Sequence, residues 1–117
     1  MTPACIGFIG LGMMGQGMAL NLLRKGFALR FQVHRNRAPV SELLAAGATE
    51  ATTRRELVAG AEAVILCVTG TPQIEAIVLG EDGLLEAAPP GLMVLDTSTA
   101  EPASTARLRE AFAARGC

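Results

Sequence analysis

Short apolar runs alternate along the whole chain with segments of helical periodicity, and no stretch reads as a linker or a repeat. The first run, residues 5–9, leads through a glycine-rich turn into a helix predicted over 13–25, closed by Arg24, Lys25 and then Gly26. A second strand is predicted over 29–34, a helix over 39–46 that stops at Gly47, and a weak third strand over 48–50. Thr53, followed three positions later by Glu56, reads as a capping box that starts a short helix ending at Ala59. Residues 63–68, AVILCV, form the clearest strand: apolar on both faces, it belongs in the buried middle of a parallel sheet covered by helices. Thr71 as N-cap and Pro72 as first helical residue predict a helix to Leu79, with a further helical piece over 84–87 that Pro89, Pro90 and Gly91 break. The fifth strand runs over 92–95 and ends in Asp96, and the last helix spans 102–115 before Gly116.

Strands alternating with helices in this order imply right-handed crossovers and a parallel sheet, so the predicted fold class is a doubly wound α/β domain. Ligands of such sheets sit beyond the carboxyl ends of the strands, where the strand order reverses. The loops after the first, fourth and fifth strands are therefore the places to look for chemistry.

Length and charge narrow the picture. A chain of 117 residues is one domain, residues 1–117, or a piece of something larger, and not a two-domain enzyme. With 10 Lys+Arg against 11 Asp+Glu the net charge is -1, which gives no field to attract nucleic acid or an anionic membrane; any anion is held locally. Cys5, Cys67 and Cys117 form no C-x-x-C, and with His34 as the one histidine there is no ligand set for zinc; the count fits a reducing, cytoplasmic setting. Residues 4–23 carry no charge over 20 positions, the length of a membrane span, but no basic residue precedes them and five glycines interrupt them. A strand, turn and helix explain that stretch better.

The turn itself reads Gly10-Leu11-Gly12-Met13-Met14-Gly15, a G-x-G-x-x-G between an apolar strand and a helix, which is the context of a Rossmann dinucleotide-binding domain. The first glycine allows the tight turn, the second lets backbone approach a pyrophosphate, and the third lets helix pack on strand. The helix N-terminus then offers free N–H groups to the phosphates. A glycine turn that merely packs is the alternative; a Walker A loop is excluded because no G-K-[ST] follows. Met13 and Met14 read as packing and cofactor-shelf residues. Twenty residues past Gly15, where an acidic residue would bind the ribose 2'-hydroxyl of NAD, stands Arg35, flanked by His34, Asn36 and Arg37, with no carboxylate until Glu42. A guanidinium binds a 2'-phosphate that a carboxylate would repel, which favours NADP over NAD as cofactor. A solvated basic turn is the other reading, and His34 reads as a strand-end residue on the adenosine side.

These segments together carry a resemblance. GFIGLGMMGQGMALNLLRKG, the basic turn HRNR, LLAAGA, AVILCVTGTPQIEAIVLGEDGLLEA and finally LDTSTAEP resemble the nucleotide-binding half of the β-hydroxyacid dehydrogenases over essentially the whole chain. That family includes 3-hydroxyisobutyrate dehydrogenase, tartronate semialdehyde (2-hydroxy-3-oxopropionate) reductase and, more distantly, 6-phosphogluconate dehydrogenase. The D-x-S-T-x-x-P at residues 96–102 is its most particular motif, and the imine reductases, which share the glycine turn and basic loop, lack it. The resemblance implies that Val68, Thr69 and Gly70 lie along the cofactor on the nicotinamide side. It implies that Ser98 offers its hydroxyl to the substrate and that Thr99 contacts the nicotinamide side or the substrate. Capping of the last helix is the alternative role for Ser98 and Thr99.

One departure stands out. The family's general acid/base is a lysine from a later, mostly helical domain, and the one lysine here, Lys25, closes the phosphate-turn helix. The family's sixth strand would begin directly after Gly116-Cys117. The expectation is thus a cofactor domain of a homo-oligomeric parent oxidoreductase acting on a small hydroxyacid or semialdehyde, inactive by itself. A non-catalytic nucleotide-binding or regulatory module is the competing class.

Overall fold

The computed structural model describes residues 5–10, 13–33, 37–68, 70–98 and 101–117, and of Met13 and Met14 the backbone alone. Five strands, β1 (Cys5–Ile9), β2 (Ala28–Gln32), β3 (Thr49–Glu50), β4 (Ala63–Leu66) and β5 (Met93–Asp96), form one parallel sheet in the order β3-β2-β1-β4-β5. The connecting helices are α1 (Met13–Arg24), α2 (Val40–Ala45), α3 (Arg54–Val58), α4 (Thr71–Leu79) and α5 (Leu84–Ala87), and α6 (Pro102–Ala113) follows β5. The chain winds from β1 through β2 to β3, then crosses to β4 and winds the other way to β5, which is the doubly wound, Rossmann-like α/β fold.

Alternation along the strands divides the interior into two cores. Ile6 and Phe8 of β1, Leu29 and Phe31 of β2 and Ile65 of β4 pack with Ala19 of α1 and Leu43 of α2 on one face. Val64 and Leu66 of β4 pack on the other with Leu57, Ile74, Val78, Leu84, Leu108 and Phe112 from α3 to α6. Phe8 and Phe31 are wholly buried, and each such side chain contributes about 1.5–3 kcal/mol through removal from water. β5 pairs only with β4 among the described residues, and its Met93 and Leu95 stay 58% and 42% exposed.

Several predicted boundaries shift, each for a local reason. The middle of the sheet is β1; β4 lies beside it, interior between β1 and β5. β4 ends at Leu66, two residues early, because β1 turns away at Gly10 and the bond from Cys67 N to Ile9 O (2.9 Å) is the last between them. β2 ends at Gln32, and the predicted His34 end lies outside the described residues. β3 loses Ala48, whose N–H donates to Leu43 O in the turn closing α2. The N-cap of α4 is Gly70, not Thr71, which is the first helical residue. α6 stops at Ala113, where Arg115 N and Gly116 N fold back on Phe112 O and Ala113 O in a tightened last turn. Thr53 caps α3 as expected, accepting from Glu56 N at 3.1 Å, but the Glu56 carboxylate takes the Thr52 hydroxyl rather than completing the box. No helix among the described residues is long and apolar enough to cross a membrane.

Candidate functional site

The strand order reverses between β1 and β4, and the carboxyl ends of these two strands meet at Gly10. Its φ of +99° lies in the left-handed region, and a Cβ added there would stand 2.0 Å from the carbonyl oxygen of Cys67. A Cβ on Gly15, inside the first turns of α1, would stand 2.0 Å from the carbonyl oxygen of Gly10. Both positions are cradles that any side chain would fill, as the first and third glycines of a phosphate turn require. Among the six residues predicted for the turn, Gly10 and Gly15 are thus the two at which the structure shows backbone closing on backbone. Leu11 and Gly12 lie outside the described residues, and Met13 and Met14 are placed only as the opening of α1.

The loops after β4 and β5 are bonded into one unit. Ser98 Oγ accepts from Val68 N at 2.8 Å and lies 3.4 Å from Leu66 O, which also takes Thr97 N and Thr97 Oγ1, each at 2.8 Å. Asp96 Oδ1 accepts from Ser98 N (2.9 Å), an Asx turn that folds the start of the D-x-S-T segment back on its own strand. Farther along, Thr71 Oγ1 accepts from Glu101 N at 2.9 Å, tying the start of α6 to the start of α4. Ser98 therefore joins Val68 at the predicted site but does not cap α6, whose N-cap is Glu101 with no side-chain bond. Gly70 takes its place as the N-cap of α4; Thr69 and Thr99 lie outside the described residues. The tie through Thr71 was read in the sequence as an N-cap; a hydroxyl at a helix start serves either purpose, and only the proximity of α4 and α6 decides.

Arg35 and Asn36 lie outside the described residues, but both flanks of their segment are placed. Upstream, Gln32 Oε1 accepts from Arg54 Nη1, and Gln32 Nε2 donates to Thr52 O at 3.1 Å. Burial pushes the Arg54 guanidinium below its usual range, the charge of Asp82 partly opposing this, and Arg54 Nε is buried without a partner among the described residues. Downstream, Arg37 grips both oxygens of Glu50, Nη1 to Oε2 and Nη2 to Oε1, each at 3.0 Å. That bidentate bond, and after it the charge of Glu50, holds the Arg37 guanidinium above its usual range. Sequence spacing missed Glu50, which lies 13 residues from Arg37 and arrives through the pairing of β2 with β3, Phe31 opposite Glu50. The nearer carboxylate, Glu42, is engaged by Gln16 Nε2 at 2.8 Å.

No cluster of three or more potential metal ligands occurs among the described residues, and Cys5, Cys67 and Cys117 are unpaired. A groove of about 290 Å³ between β5, α4 and α6 is lined by Leu66, Val94, Asp96, Leu108, Arg109 and Phe112.

The sequence matches the family described as the NAD binding domain of 6-phosphogluconate dehydrogenase over residues 5–117. It is 41% identical over 112 residues to an NAD-dependent L-serine dehydrogenase of Pseudomonas aeruginosa, covering 95% of this chain and 37% of that protein. It is 38% identical over 103 residues to the 2-hydroxy-3-oxopropionate reductase of Escherichia coli, covering 87% of this chain and 34% of the other. A solved structure, Psf3 in complex with NADP+ and 2-OPP, superposes with a TM-score of 0.88 at 32% identity, over 95% of this chain and 39% of that one. The chain spans little more than a third of the length of these relatives. With the match running from the first described strand to the last residue, and with Gly10 and Gly15 placed as a phosphate turn requires, the chain belongs to the family of the NAD-binding domain of 6-phosphogluconate dehydrogenase.

Proposed function

We propose that this chain is the cofactor domain of an NADP-preferring oxidoreductase that moves a hydride between nicotinamide and a small β-hydroxyacid or the corresponding semialdehyde. The observation that carries the reading is the glycine turn at the β1–β4 switch point, where Gly10 is pressed against Cys67 and Gly15 against Gly10. In this reading Gly10, Leu11, Gly12, Met13, Met14 and Gly15 present backbone to the pyrophosphate, with the N–H groups opening α1 aimed at it. Arg35 and Asn36 hold the 2'-phosphate, and Val68, Thr69 and Gly70 follow the ribose on the nicotinamide side. Ser98 and Thr99 meet substrate where the two ligands adjoin. The bond from Val68 N to Ser98 Oγ supports this, since one hydroxyl then fixes the spacing of the cofactor loop and the substrate loop.

When bound, the cofactor supplies the hydride; the chain's own residues orient it and shield it from water. NADP is preferred because of Arg35, although a relative at 41% identity is named NAD-dependent; the superposed structure with NADP+ supports the choice. Lys25, exposed at the end of α1, is not placed to serve as general acid/base. That group belongs to a further helical domain, and without it the chain binds cofactor and turns over nothing. The parent enzyme is read as a cytoplasmic homo-oligomer.

The test is Arg35→Ser. The NADPH dissociation constant should rise at least about tenfold, the worth of a lost charge-assisted bond, while that for NADH changes by less than about twofold. Equal losses for both cofactors would remove Arg35 from the 2'-phosphate.

A further inference from the structure

We infer that Glu75 is a positioning residue: from α4 it holds α6 in register, and so ties the Ser98 hydroxyl to the loop that follows β4. The inference rests on the reading of Val68 and Ser98 given above and is independent of the choice between NADP and NAD. Bonds at three levels join the β4–α4 unit to the β5–α6 unit. Val68 N donates to Ser98 Oγ at 2.8 Å, Glu101 N to Thr71 Oγ1 at 2.9 Å, and Ser104 Oγ to Glu75 Oε1 at 2.7 Å. The partners are 30, 30 and 29 residues apart, so the two units lie side by side like the rails of one ladder, from the strand ends down into each helix.

The lowest rung calls for a reason beyond packing. Ser104, 2% exposed, is the one polar side chain among the buried described residues. An alanine there would pack without the desolvation cost of a hydroxyl, which a bond to a carboxylate offsets. The same Oε1 takes Arg107 Nη2 at 3.5 Å, so Glu75 meets two positions on one face of α6, three residues apart. Arg107 stands largely in solvent, and that longer contact adds little. Ile74, Val78, Leu108 and Phe112 share one apolar core, which presses the helices together without fixing their register. α6 also lacks a cap of its own, since Glu101 makes no side-chain capping bond and its N–H goes to Thr71. The joint of Thr71 with Glu101 lies three residues past Val68 on one unit and three past Ser98 on the other, and Glu75 sets the angle of α6 below it. A brace that only stabilises α6 is the competing role. It resists opening of the helix equally with and without cofactor, whereas a positioning tie transmits what the cofactor does to the Val68 loop.

The experiment is amide hydrogen exchange of the chain and of Glu75→Ala, Glu75→Gln and Ser104→Ala, each without cofactor and saturated with NADPH or NADH, whichever binds the more tightly. In the unsubstituted chain, cofactor should slow exchange at Val68 and also at residues 105–108, the latter by about tenfold, the factor one charge-assisted bond supplies. Glu75→Ala and Ser104→Ala should keep the slowing at Val68 but bring that at 105–108 below about twofold. Glu75→Gln keeps an acceptor oxygen for Ser104 and should restore most of it. If Glu75→Ala does not fold, Ser104→Ala removes the same bond and decides. Exchange at 105–108 that is faster in the variants, yet slowed by cofactor by the same factor as in the unsubstituted chain, would overturn the inference in favour of a brace. If no cofactor binds, or bound cofactor slows exchange in α1 and not at Val68, the reading of the loop falls and this inference with it. If Val68 is slowed in the unsubstituted chain and residues 105–108 are not, only the role of Glu75 falls.

Discussion

A Cβ on Gly10 would stand 2.0 Å from the carbonyl oxygen of Cys67, and the φ of Gly10 is +99°. Backbone meets backbone at the point where the sheet changes direction, and no side chain can relieve the clash by rotating. Gly10→Ala should therefore destabilise the fold by about 3 kcal/mol or more and abolish cofactor binding. Denaturant unfolding checks the first effect; a midpoint unchanged from the parent would show the turn to be looser than described.

The glycines of α1 separate a packing role from a merely helical one. Gly15→Ala drives a Cβ to 2.0 Å from Gly10 O, whereas a Cβ on Gly17 meets nothing within 4 Å. Gly17→Ala should stabilise the protein by about 0.5–1 kcal/mol through helix propensity and leave cofactor affinity unchanged, while Gly15→Ala should lower both. Thermal melts of the two variants side by side should move in opposite directions, and a shared direction would contradict the assignment.

Ser98 is a joint as well as a proposed substrate contact. Its removal in Ser98→Ala leaves Val68 N without its partner at 2.8 Å, a loss of about 1–2 kcal/mol for a half-buried amide. Hydrogen exchange at Val68 should accelerate in the variant before any global unfolding. Unchanged protection there would mean that another group holds the loop.

Arg30 shows how the fold outside the site is held. Its Nη1 donates to the carbonyls of Glu56 and of Ala59, the latter at 2.9 Å, closing the end of α3, which is too short to stand alone. Arg30→Met should cost about 1.5–3 kcal/mol and leave the NADPH/NADH ratio untouched, a pairing that equilibrium unfolding and titration can check together. A changed cofactor ratio would link α3 to the site.

How much was legible beforehand follows from the range of each interaction. The strands, the helices and the close backbone approach at Gly10 and Gly15 were readable because their signals are local: apolar runs for strands, Gly26 and Gly47 as stops, Thr53 as a cap, and G-x-G-x-x-G between strand and helix. The place of β4 beside rather than at the middle of the sheet was not, since strand order is decided by crossovers and not by the hydrophobicity of one strand. Thr71 was misread because a hydroxyl at a helix start looks the same whether it caps its own helix or accepts from Glu101. Glu50 was invisible near Arg37 because pairing of β2 with β3 brings it there from 13 residues away. The glycine turn was found by pattern; the network that couples its neighbouring loops, Ser98 to Val68 and Thr71 to Glu101, needed three dimensions.

The central claim is that this switch point holds a dinucleotide and that the basic segment prefers the phosphorylated one. Calorimetric titration of the chain with NADPH and, separately, NADH in one buffer tests it most directly. The account predicts binding of both, tighter for NADPH by about tenfold, the difference a charge-assisted bond supplies. Tighter binding of NADH would keep the fold and overturn the role of Arg35, and binding of neither would contradict the cofactor site itself.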